Sequence, residues 1–396
     1  MEYDFTTKVN RKGTGAAKWD GMYAKKAQVS PGVVPLSVAD MELKNPPEVI
    51  AGLKEFLDDA VLGYTMPTKA YYDAVVGFMK RRHNWDIKAE WIVQTPGVVA
   101  AFFHTVRAFT EPGDGVIIQR PVYYPFSMAI DVNGRKLVNN PLILKDGKYS
   151  IDYADLEVKA RDPKNKLLIF CSPHNPVGRV WTKEELQKVA DICLRNNVLM
   201  VSDEIHFDLL LNGAKQTVYA AVSEEAAQHC IICTAPSKTF NLAGMQTSNI
   251  IIPNKDIRDK FNAELKKSAM TMIGILGQKA CEIAYTRCDS WLDNLSKLLE
   301  KNYQLCKDFF AKNIPQVFVF PLEGTYLLWL DFRWMGLDKD ALEKFMIEDA
   351  EWFLDEGVMF GPEGEGFERV NIACPTAVLQ EALERLCKAL KAKKFI

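Results

Sequence analysis

LLIFCSPHNPVGRVWTKEELQKVADICLRNNVLMVSDEIH, residues 167–206, reads as one strand–turn–helix–strand unit. It opens with the apolar run LLIFC (167–171), closed by the turn residues of HNPVG. TKEELQKVADICLRNN (182–197) then carries apolar side chains at helical spacing, and Thr182 followed by Glu185 is a capping-box signature. VLMVSD (198–203) ends the unit as a second apolar run. The same alternation continues on either side. VIIQ (116–119), CIICTA (230–235) and NIIIP (249–253) read as strands. PPEVIAGLKEFLDD (46–59), AYYDAVVGFMKRRHNW (70–85), GVVAAFFHTVRAF (97–109) and KDIRDKFNAELKK (255–267) read as helices. Strands alternating with helices predict an α/β fold with a mostly parallel sheet covered by helices on both faces.

The last hundred residues change character. They read as a helix (291–312), strands VFVF (317–320) and TYLLWLDF (325–332), a helix over 338–357, the loop GPEGEG, a strand RVNIAC (369–374) and a final helix. That is a smaller α+β unit. With 396 residues, two domains are expected. The large one is placed at 46–290. The smaller one is built from 1–45, returning to pack on 291–396.

Composition is that of an ordinary globular chain, 48% hydrophobic and 25% charged, with a formal net charge of −2. No basic excess points to nucleic acid or a membrane surface. No apolar run reaches the roughly 18 residues of a spanning helix, and MEYDFTTKVNRKGTG lacks a signal-peptide core. A cytoplasmic location is expected. The nine cysteines are then free thiols. Cys230 and Cys233 have metal or redox spacing, but they lie in a strand where they face opposite sides, and no second pair accompanies them. They read as core, and no metal site is expected.

In an open α/β sheet, ligands bind beyond the carboxyl ends of the strands. RPVYYPF follows VIIQ, SPHNPVG follows LLIFC, EIH follows Asp203 and PSKTFNLAG follows CIICTA. Tyr123, Asn175, Asp203, His206 and Lys238 therefore converge at one edge. This set suits pyridoxal 5′-phosphate (PLP). A lysine holds that cofactor covalently and later moves the α-proton of the substrate. A carboxylate keeps the pyridine nitrogen protonated. An Asn amide suits the 3′-oxygen, and a Tyr ring suits the cofactor ring. Its phosphate suits a helix N-terminus, here Gly97, Val98 and Val99, and the Ser237 hydroxyl. Neither dinucleotide nor P-loop glycine patterns occur.

With these motifs the chain resembles the fold-type I PLP enzymes of the aspartate aminotransferase-like superfamily, and more closely the cystathionine β-lyase group of the MalY and PatB type. The resemblance spans KWD (18–20), VADME (38–42), GYT (63–65), TPGVV (95–99), PVYYPF (121–126), CSPHNPVGRVW (171–181), SDEIHFDL (202–209), SKTFNLAG (237–244) and ERVNIACP (368–375). Asn175 and Asp203 are 28 apart, and Asp203 and Lys238 are 35 apart, close to the superfamily's separations. It implies that Lys238 carries the cofactor, Asp203 pairs with its ring nitrogen, Asn175 donates to its 3′-oxygen and Tyr123 stacks on it. It also implies that Arg369 grips the substrate α-carboxylate as a two-pronged fork. Tyr64 reaches the phosphate in the neighbouring subunit, so a homodimer with shared sites is implied. On the residue alone, Arg369 reads as an exposed strand-end charge.

Two departures from the aminotransferase pattern stand out. His206 replaces a Tyr, as in the lyase group, and Gln246 replaces a phosphate-binding Arg. The expected activity is β-elimination of a thiol from a sulfur amino acid, giving pyruvate and ammonia. An aminotransferase and a PLP-binding regulatory protein acting through protein contacts are the rival readings.

Overall fold

The computed structural model describes residues 3–396. Its strands, in chain order, are β1 (Ile92–Thr95), β2 (Gly115–Ile118), β3 (Lys136–Asn139), β4 (Ile143–Lys145), β5 (Lys148–Ser150), β6 (Asn165–Cys171), β7 (Leu199–Asp203), β8 (Cys230–Thr234) and β9 (Ser248–Ile251), then β10 (Phe318–Val319), β11 (Leu327–Asp331), β12 (Asp355–Glu356) and β13 (Phe367–Asn371). Seven of them form the large sheet in the order β1-β9-β8-β7-β6-β2-β3. All its pairings are parallel except the two made by β9. β4 and β5 form a separate hairpin.

The central strands carry apolar runs rather than alternation because both faces are covered. Leu168, Phe170, Met200, Cys230 and Ile232 enter one core, while Leu167, Ile169, Val201, Ile231 and Cys233 enter the other. Cys230 and Cys233 thus lie on opposite faces, as the strand period requires, and all nine cysteines are buried and unpaired. Helices Lys69–His83, Lys183–Arg195 and Ile275–Arg287 cover the first face. Val98–Phe109 and Lys255–Lys267 cover the second. Both halves of the Thr182/Glu185 capping box form.

The smaller sheet has the order β10-β11-β13-β12 and is antiparallel throughout. The N-terminal segment runs along it. Leu36 N–H donates to Phe353 O, Asn371 N–H to Leu36 O and Glu42 N–H to Ala373 O. One expectation fails here. The helix over 338–357 spans only Lys339–Lys344 and a wider π-type turn to Asp349. Trp352, Phe353 and Leu354 follow, and all three are buried. A surface helix buries one stripe, not three consecutive side chains. The chain therefore extends, and Asp355–Glu356 become an edge strand. No helix of the described residues is long and apolar enough to cross a membrane.

Candidate active site

β2, β6, β7 and β8 are parallel, so the segments that follow them meet at one edge of the sheet. Asp203 is the last residue of β7 and is buried. One of its oxygens accepts the Ile205 N–H at 3.3 Å. The other has no hydrogen-bond partner among the described residues. Burial pushes this carboxyl up to about 7, against the pull of the Ile205 amide and of Lys238.

Lys238 sits in the single-turn helix Pro236–Thr239, directly after β8. Its Nζ donates to Ala39 O at 2.6 Å, and the buried Tyr326 hydroxyl donates to the same carbonyl at 2.9 Å. Burial, and then the Arg369 charge, bring the Lys238 ammonium down to about 8, with Asp40 and Asp203 opposing.

Asn175 follows β6. Its main-chain carbonyl accepts the Tyr123 N–H at 3.1 Å, and its side-chain oxygen accepts from Arg369 Nη1 at 2.9 Å. Its amide nitrogen has no acceptor among the described residues. Burial, above all, raises the Tyr123 phenol. His206 is buried, and neither ring nitrogen is bonded within the described chain. Burial, with the Lys238 and Arg369 charges, holds it well below the usual histidine range, so it is neutral.

Gly97 has φ +89°, a left-handed conformation that turns β1 into the helix Val98–Phe109. The Val98 and Val99 N–H groups open that helix without intrahelical acceptors. Gln246, in the loop after Lys238, lies beside the turn, its Oε1 3.8 Å from where a Cβ on Gly97 would stand. The Ser237 hydroxyl has no partner among the described residues.

Arg369 departs from the exposed strand-end charge that its residue type suggests. It lies within β13 and is 3% exposed. Its Nη2 pairs with Asp355, its guanidinium carbon stands 4.7 Å from the Phe360 ring centre, and its Nε is buried without a partner. Tyr64 is not gathered with the rest. It is 98% exposed, between helices Pro47–Asp59 and Lys69–His83. Sequence reasoning missed three contributors: the Ala39 carbonyl, Tyr326 and Asp355. A carbonyl has no signature in the sequence, and Asp355 stood in a segment read as helix.

The sequence model of the family described as Aminotransferase class I and II matches residues 31–386. Cystathionine β-lyase PatB of Bacillus subtilis is 43% identical over 390 residues, spanning 98% of this chain and 100% of that one. The chain belongs to the fold-type I PLP enzymes, in the MalY/PatB group. The crystal structure of cystalysin from Treponema denticola, which contains PLP, superposes with a TM-score of 0.98 at 54% identity, covering 99% of this enzyme and 100% of cystalysin. The PLP-bound C–S lyase from Staphylococcus hominis gives 0.92 at 32% identity, with 98% of each chain covered.

Proposed function

We propose that the enzyme is a PLP-dependent carbon–sulfur β-lyase acting on cystathionine, cystine or an S-substituted cysteine. The reading is carried by one observation. The Lys238 amine, brought down to about 8, stands at the same sheet edge as the buried Asp203 carboxyl and within reach of the buried Arg369 charge. The names of its relatives, cystathionine β-lyase and C–S lyase, support the same chemistry.

The unsatisfied groups fit the cofactor. Asp203, with a free oxygen, would face the ring nitrogen and hold its proton. The free Asn175 amide and the unbonded His206 ring suit the 3′-oxygen side. Tyr123 suits the ring face, and the Val98 and Val99 amides with the Ser237 hydroxyl suit the phosphate. When bound, PLP supplies an electron sink conjugated to the substrate's α-carbon. Arg369 fixes the α-carboxylate. Lys238 Nζ takes the α-proton and returns one to the departing sulfur. The Cα–H and Cβ–S bonds break, the thiol leaves, and one water completes the conversion of the remainder to pyruvate and ammonia.

The test is product analysis with purified enzyme, a panel of cysteine conjugates and no keto acid. Pyruvate, ammonia and thiol are expected in equal amounts. Amino-group transfer that requires a keto acid, without thiol release, identifies an aminotransferase and overturns the reading.

A homodimer with shared sites belongs to the proposal. Tyr64 lies among Val61, Leu62 and Met66, which are 86%, 62% and 64% exposed. A run of such side chains is a surface for a second chain. Mixing Lys238→Ala with a Tyr64 variant that no longer binds PLP is expected to restore activity, because a hybrid dimer regains one intact site. Hybrid dimers that stay inactive would count against sharing.

A further inference from the structure

Asp355 stands opposite Arg369 in the β12–β13 register. Its Oδ2 takes both an Arg369 Nη2–H and the Val38 N–H, the latter at 2.8 Å. The guanidinium is held on its other prong by Asn175 Oδ1 at 2.9 Å. Val38 is β-branched, yet its φ is +49°, in the left-handed region that such residues avoid. Both its peptide groups are clamped. Asp355 takes its N–H, and Asn371 Nδ2 donates to its carbonyl at 2.8 Å. The next carbonyl, Ala39, accepts the Lys238 amine at 2.6 Å.

One carboxylate therefore touches two lines of support. It fixes the arginine directly, and through Val38 it fixes the carbonyl on which the lysine amine rests. A guanidinium this deeply buried needs a counter-charge whether or not substrate is present. Asp355 supplies it from the strand side of the fork. We infer that Asp355 is a positioning residue that sets the carboxylate-binding guanidinium of Arg369 against the Lys238 amine. The inference rests on Arg369 being the carboxylate site.

The probe is 2-aminoisobutyrate, an α-amino acid with no α-hydrogen to lose, titrated into holoenzyme and read by cofactor absorbance. Asp355→Asn keeps the shape and removes the charge. It is expected to weaken the probe about tenfold or more, as for a lost charged hydrogen bond. KM for a cysteine conjugate should rise more than kcat falls. Asp355→Glu keeps the charge but displaces it by one methylene, and is expected to bind the probe with intermediate affinity. Arg369→Lys is measured alongside and should weaken the probe about a hundredfold. If Arg369→Lys weakens binding and Asp355→Asn does not, the Asp355 role falls and the arginine reading stands. If Arg369→Lys binds normally, the arginine reading falls. A drop in thermal stability of Asp355→Asn with an unchanged probe affinity marks a merely structural ion pair and overturns the inference. If Asp355→Asn fails to fold, Asp355→Glu decides: probe binding equal to wild type overturns it.

Discussion

Lys238→Ala is expected to fold, to take up PLP without a covalent bond and to lose at least about 10⁴-fold in kcat, roughly 5.5 kcal/mol of barrier. The comparison with Lys18 shows why this lysine is singled out. Lys18 is buried and Lys238 half-buried, and they rest on adjacent carbonyls of one segment: Lys18 Nζ donates to Asp40 O at 2.8 Å and Lys238 Nζ to Ala39 O at 2.6 Å. Lys18 is also gripped by carboxylates, Asp40 at 2.9 Å and Glu42 at 3.4 Å. Among the described residues Lys238 has no such ion pair, and the Arg369 cation acts on it more strongly than Asp40 or Asp203. Its amine is therefore the one expected to shed a proton and act as a nucleophile and base. Borohydride reduction of the wild-type holoenzyme should fix the cofactor on the peptide containing Lys238. Recovery on the Lys18 peptide, or wild-type turnover in Lys238→Ala, would refute the assignment.

The same amine gives a pH signature. Covalent capture of PLP needs the neutral form. With its ammonium at about 8, about a tenth of Lys238 is neutral at pH 7, against less than about a thousandth for an ordinary lysine. Capture of PLP by the cofactor-free chain should quicken up to about pH 8 and then level off.

How far the sequence exposes this architecture follows from burial. β6, β7, β8 and β9 were legible because both faces are covered and the strands are continuous apolar runs. β1 and β3 went unmarked. They are the two edges of the large sheet, and β3 has no fully buried residue. β1 is buried at three of its four residues, but IVQT is too short to show an apolar run, and the half-exposed β3 shows neither a run nor clean alternation. The candidate site divides the same way. Asp203 ends a recognisable strand, and Asn175, Tyr123 and Lys238 follow others, so their meeting at one edge was deducible. Arg369 lies 131 residues beyond Lys238 in the chain, and its burial and its Asp355 partner come only from tertiary packing. Tyr64 has no hydrogen-bond partner among the described residues and is 98% exposed, so nothing within one chain assigns it to the site.

Asp203→Asn is expected to lower kcat by about 10²-fold or more, on the order of 2–4 kcal/mol, while making the cofactor-free chain more stable near neutral pH. The two effects share one cause. The Asp203 carboxyl sits at about 7 in the folded chain because burial disfavours its charge, whereas in the unfolded chain it returns to about 3.9. Below about pH 4 it is protonated in both states and costs nothing. As pH rises towards 7 the unfolded state gains charge and the folded state resists, so stability falls across that window. Above about pH 7 the full penalty applies, on the order of 4 kcal/mol for a shift of about three pH units. An asparagine keeps an oxygen for the Ile205 N–H and never ionises, so it escapes the penalty. It also cannot hold a proton on the cofactor's ring nitrogen, and the electron sink weakens. Denaturant midpoints of the two cofactor-free chains should therefore coincide near pH 4 and separate by pH 8, with Asp203→Asn the higher. PLP should stabilise the wild type at pH 8 more than it stabilises the variant. A wild-type chain at least as stable as Asp203→Asn at pH 8 would show that the carboxylate is already compensated within the protein, and would leave it no unmet charge to offer a bound ring.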